Sequence, residues 1–310
     1  MLHLLPSAIT LPWPLQDRLD HLLRALLDSD EQAHIDFTRP AGEAALLASD
    51  SISWRVFKNP LSVFIGGITA VIMELAEPRV RSGVWDHTTF RTDPMRRLRR
   101  TGLAAMVTIY GPRSNAEAMI AQVRRMHEKV AGVTPTGETY RADDVELLSW
   151  VHATAAFGFL QAYHAYARPL ARADRDHFYA EGVHAASLYG ATGAPRSEAE
   201  FATMLGAMAD RLEQSDIILE FLEIMRSAPV LPLPLRPLQH VLVRAAVELV
   251  PGWLTVKLGL ERLGLRGFEA ELVRQAGALA DRVVLDSNPA VQACKRMGLP
   301  ADFLYVRRVK

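Results

Sequence analysis

A histidine at position 127 interrupts a row of hydrophobes. In the stretch VRRMHEKVAG, helical spacing aligns His127 with Met119, Ile120, Val123 and Val130, while Arg125, Glu128 and Lys129 fall mostly on other faces. A buried imidazole needs a partner. Two readings are open: a core histidine bonded to a carbonyl or carboxylate, or a neutral imidazole that ligates a metal. His152 repeats the pattern, sharing a face with Leu148, Ala155, Ala156 and Phe159. A third set is Arg97, Arg100 and Thr101, three and four apart and in line with Ala104, Ala105 and Thr108. Small side chains let a flat ligand or a backbone approach, and guanidinium groups grip carboxylates in fork geometry. The alternative there is an ordinary exposed face of arginines over alanines.

Spacing excludes most metal and nucleotide chemistry. A di-iron bundle wants two Glu-x-x-His motifs, and the chain has one, Glu181-Gly-Val-His184. No His-Glu-x-x-His, Cys-x-x-Cys-His, Gly-x-Ser-x-Gly, Walker loop or dinucleotide-binding glycine fingerprint is present. What remains is a chemistry that needs few protein ligands. Haem b fits, since one axial histidine and an apolar helical pocket can hold it.

The elements that must position these residues are helices; strand-like alternation is almost absent. The apolar run LSVFIGGITAVIMELA breaks at Pro78. Thr92 and Asp93 cap the next helix, with Pro94 in its first turn, and Gly111 ends it. Ser114 or Asn115 opens the helix of His127, which the pattern extends to Gly132; VTPTGETY follows as a mobile loop. Asp143 and Asp144 open the helix of His152, which closes before Pro169, and another starts near Asp174. VLPLPLRP predicts a rigid extended crossing before two or three last helices, and LPADFLYVRRV an extended tail. The expectation is an N-terminal arm over 1–50, one all-α domain over 51–300 and a tail over 301–310.

Composition narrows the setting. A chain of 310 residues, 49% hydrophobic, can bury a large core. Thirty-five basic side chains balance thirty-five acidic ones, so nothing draws nucleic acid or an anionic membrane at long range. The apolar run is shorter than the ~20 residues of a transmembrane span. The N-terminus makes a poor export signal, and the lone Cys294 suits a reducing interior, so a cytoplasmic protein is expected.

The order GGITAVIMELAEPRVRSGVWDHTTFRTDP, RLRRT, VRRMHEKVAG and YRADDVELLSWVHAT resembles the oxygenase family of MpaB and the latex-clearing rubber oxygenases, from about Arg55 through the last predicted helices. The resemblance implies an all-helical domain of globin-like packing class around a buried haem b. It also implies an Arg-x-x-His arrangement, here Arg124 and His127, whose histidine is the iron ligand. Where latex-clearing proteins carry Arg-x-x-Lys-Thr, this chain has Arg97, Arg100 and Thr101. A neutral amine can ligate iron, but a guanidinium stays protonated, so the distal side is expected open. Ahead of Pro78, where relatives tend to carry a histidine, stand Ala76 and Glu77. Glu77 is read either as a base or anion partner for Arg97, or as a surface glutamate. His87 matches a family histidine, its role open between a haem propionate and a helix start, and His152 matches one placed behind the pocket. The implied activity is oxidation by O2 of a hydrophobic, possibly isoprenoid substrate, with cleavage of a C=C bond. The alternative is a non-catalytic helical protein that binds a lipid or other apolar ligand.

Overall fold

In the computed structural model the described residues are 8–27 and 35–306. Among them are fourteen α-helices, a two-stranded hairpin and one 3-10 turn. The helices are α1 (Trp13–Leu27), α2 (Ile52–Phe57), α3 (Pro60–Leu75), α4 (Pro78–His87), α5 (Pro94–Tyr110), α6 (Arg113–His127), α7 (Val145–Tyr166), α8 (Arg172–Tyr189), α9 (Glu198–Met208), α10 (Asp216–Ser227), α11 (Arg236–Glu248), α12 (Gly252–Lys257), α13 (Glu269–Ala280) and α14 (Pro289–Arg296). The all-α expectation holds.

The core is organised around α3 and α7, which run antiparallel and form the most extensive pairing in the fold. Asn59 starts α3 by accepting from the Leu61 and Ser62 amides, with Pro60 at the first helical position. The pair crosses where Gly66 meets Gly158. A Cβ on Gly66 would lie 2.6 Å from the Gly158 carbonyl oxygen, so only glycine lets the two backbones approach this closely. α11 crosses α3, where the Thr69 hydroxyl donates to Ala246 O at 2.9 Å. Trp54, Trp150, Ile65, Ile72, Met73 and Leu160 are fully buried around this centre. Each such side chain contributes roughly 1.5–3 kcal/mol of burial free energy.

Several sequence expectations change at the edges. The arm contains the helix α1, which packs on α5, and Ile9 bridges to Val283, tying the arm to the domain. The segment after Pro78 is a helix, α4. The helix of His127 ends at that residue, and the expected loop is an antiparallel hairpin, β1 (Ala131–Val133) with β2 (Thr139–Arg141), closed by the Thr134 amide donating to Glu138 O at 2.8 Å. The proline-rich crossing holds a 3-10 turn over Leu233–Leu235, and four helices follow it. The tail forms turns through Tyr305, while residues 307–310, and the first seven residues of the N-terminus that reads as a poor export signal, lie outside the described residues. No single described helix is long and apolar enough to cross a membrane; α3 and α4 together pass on composition but bend by 112°.

Candidate functional site

The charged end of the α3–α7 pair holds Glu74, on the last turn of α3. Its carboxyl lies against the Thr154 hydroxyl of α7 and faces Arg97 of α5. Burial raises Glu74 to about 7, a shift that the Arg97 charge and the Thr154 contact oppose without cancelling. Arg97 is pushed down from its usual value by burial and supported by Glu74, with Arg100 opposing. Its Nε is buried and finds no hydrogen-bond partner among the described residues.

His127 closes α6 on the other side of Arg97. Burial, then the Arg97 charge, lowers it from its ordinary value, with Asp143 acting the other way. Its Nδ1 is buried and also without a partner among the described residues. The imidazole is therefore held in the neutral form that ligates metals. Arg97 of α5 thus acts on both Glu74 of α3 and His127 of α6.

His152 sits apart from this group. Burial alone lowers it to about 4, and no charged group acts on it. Its Nε2 edge faces α8 at Gly182, where an added Cβ would lie 3.3 Å from Nε2. Glu74 on α3 and His152 on α7 both remain partly accessible, although these two helices form the centre of the fold. Accessible side chains on the two central helices mark a hollow between the elements packed over them. The partly accessible residues Phe64, Gly67 and Val71 on α3, and Leu148, Ala155 and Phe159 on α7, fall at helical spacing on one face of each helix.

The other expected residues are placed differently. Arg100 and Thr101 are exposed, and the Thr101 hydroxyl donates back to Arg97 O at 2.9 Å, so of the α5 set it is Arg97 that reaches inward. Arg124 is exposed one turn before His127. Glu77 is buried, but it caps α4, accepting from the Val80 amide at 2.8 Å and from Arg79 Nε at 2.6 Å. Glu74, not Glu77, is the anion facing Arg97. His87 is exposed and shares a hydrogen bond of 3.1 Å with the Tyr140 hydroxyl, which pins the hairpin to the end of α4. Glu181, from the lone Glu-x-x-His, caps α2 through the Ile52 and Ser53 amides at 2.9 and 3.0 Å. Among the described residues no three His, Cys, Asp or Glu side chains converge as a metal site. Glu74, Thr154 and Gly182 escaped the sequence reading; the available signal was one acid inside an apolar run.

A family model described as ER-bound oxygenase mpaB/B'/Rubber oxygenase, catalytic domain, matches residues 54–282. The chain belongs to this oxygenase family. The match takes in α3 through α13, and with them Glu74, Arg97, His127 and His152, whereas α1 and α14 lie outside it. Neither the curated proteins nor the solved structures gave a match.

A haem in this oxygenase domain would be held by His127. Among the described residues no group of three His, Cys, Asp or Glu side chains joins His127 to hold a metal ion. The unpaired His127 Nδ1 shows an imidazole that ordinary packing has not satisfied.

Proposed function

We propose that this oxygenase domain binds haem b through His127 and uses O2 to cleave a C=C bond of a hydrophobic substrate. The observation that carries the reading is that Arg97, whose Nε is buried and unpaired, acts on both His127, whose Nδ1 is likewise unpaired, and Glu74, whose carboxyl is raised to about 7. Haem, when bound, supplies the iron that activates dioxygen. The reaction balances without external electrons: one C=C and one O–O bond break, and two C=O bonds form. His127 ligates in its neutral form. Arg97 offers positive charge and an uncommitted N–H to oxygen that gains negative charge, an interaction strengthened by its dry surroundings. Glu74, at about 7, can hold or release a proton at neutral pH. Arg100 is exposed, and a guanidinium is not an iron ligand.

The test is spectroscopic. Purified protein, or protein titrated with haemin, is expected to show a Soret band that His127→Ala abolishes and the surface change Lys129→Ala leaves intact. A protein that gains no band on haemin titration sinks the reading in favour of a non-catalytic binder of apolar ligands.

A further inference from the structure

His152 is a polar group that the proposed chemistry does not use. It lies on the central helix α7, remains partly accessible, has no charged neighbour acting on it, and makes no hydrogen bond among the described residues. Its ring nitrogens are also not among the fully inaccessible unpartnered atoms, unlike His127 Nδ1. A polar group in this position is left for whatever occupies the hollow, because an enclosed donor or acceptor without a partner is costly. Gly182 supplies the room, since the Nε2 edge of the ring takes the place a side chain on α8 would fill.

We propose that the hollow beside α7 and α8 receives an uncharged hydrogen-bonding group, a hydroxyl or a carbonyl, carried by an otherwise apolar substrate, and that His152 holds it. The chemistry follows from the surroundings. At His152 itself a carboxylate or an ammonium would meet no counter-charge. A pure hydrocarbon would leave the imidazole unsatisfied. The neutral imidazole offers one donor and one acceptor, so it serves an alcohol or a ketone equally. The neighbouring partly accessible side chains, Val151, Ala155 and Phe159, are apolar and suit the rest of such a molecule. The site names a substrate class for the oxygenase reading and rests on it for catalysis, while binding is testable without it.

The probes are geraniol, farnesol and geranylgeraniol, each set against its parent hydrocarbon, with binding to the full chain followed by calorimetry. At least one alcohol is expected to bind about tenfold more tightly than its hydrocarbon, the worth of one buried neutral hydrogen bond. His152→Phe is expected to bring the pair within about twofold and His152→Gln to restore part of the preference. Because the Phe variant can misfold, nitrogen NMR of the His152 ring in the unaltered protein gives a second readout: its resonances move with alcohol and stay in place with hydrocarbon. No alcohol preference, or a preference that survives His152→Phe with a still ring signal, overturns the proposal. A preference without a Soret band removes the oxygenase reading and keeps this site; a Soret band without a preference does the reverse.

Discussion

The two ends of the α3–α7 pair both bury charge, and they treat it in opposite ways. At the seam with the C-terminal segment, next to the start of α3, the Lys58 amine donates to both the backbone carbonyl and the carboxylate of Asp281, the latter at 2.6 Å. The Tyr163 hydroxyl of α7 donates to the other Asp281 oxygen at 3.2 Å, and Lys58 lies over the Tyr305 ring at 4.4 Å. Asn288 donates to Lys58 O at 2.9 Å. Every one of these groups has a partner. At the far end, roughly 22 Å along α3 by its helical rise, Glu74 faces Arg97, but Arg97 Nε and His127 Nδ1 have none among the described residues. A closed cluster fixes geometry. An open one leaves capacity for a ligand.

The largest expected effect separates the ends by stability. Asp281→Ala strands the buried Lys58 ammonium and is expected to cost about 3–5 kcal/mol, read by urea denaturation, with spectral and turnover properties of the folded fraction kept. Arg97→Ala is expected to do the opposite. Turnover by O2 uptake falls about 100-fold or more, as for loss of a transition-state charge donor. Stability drops by no more than about 1 kcal/mol, because Glu74 avoids a stranded charge by taking a proton. Equal losses in both quantities for both variants would erase the distinction.

A smaller effect is a pH dependence at the open end. The carboxyl of Glu74 is raised from 4.5 to about 7, so the folded state binds its proton more readily than the unfolded chain. Its contribution is fully present below about 4.5 and is lost as pH rises through about 7. By linkage the loss is at most about 3 kcal/mol. Glu74→Gln is expected to flatten that part of the stability profile and to stabilise the protein at pH 8. A variant whose denaturation midpoint follows the same pH profile as the parent would refute the assignment.

The sequence disclosed these two ends unequally. The helices were legible because apolar periodicity and capping are local: Asp93 with Pro94 starts α5, and Asp144 starts α7. His127 and Arg97 stood out as polar side chains on apolar or small-residue faces. Glu74 did not, because its role depends on Arg97, 23 positions onward, and on Thr154, 80 onward. Glu77 drew attention in its place, yet an acid directly before a proline is a helix start, and that is its use. The end of α6 was misplaced because Val130 continues the apolar spacing after the backbone has turned toward β1. The seam was invisible, since Lys58, Tyr163 and Asp281 lie far apart in the chain and none carries a motif.

The smallest expected effect is the sharpest test of the contrast. If the seam is only structural, its charges can be exchanged for apolar groups together, though not singly. The triple change Lys58→Met, Tyr163→Phe and Asp281→Leu removes the amine, the carboxylate and the hydroxyl that answer one another. What stays unmet is the Asp281 backbone carbonyl, which loses the Lys58 donor. The triple variant is therefore expected to lie within about 1–2 kcal/mol of the parent, several-fold milder than Asp281→Ala alone, with the Soret band and alcohol preference unaltered. The corresponding exchange at the open end, Glu74→Leu with Arg97→Met, leaves a folded protein by the same reasoning but takes away the α5 charge that acts on His127 and the carboxyl that faces it. A triple seam variant that folds well and loses turnover would mean that the closed cluster also serves the reaction.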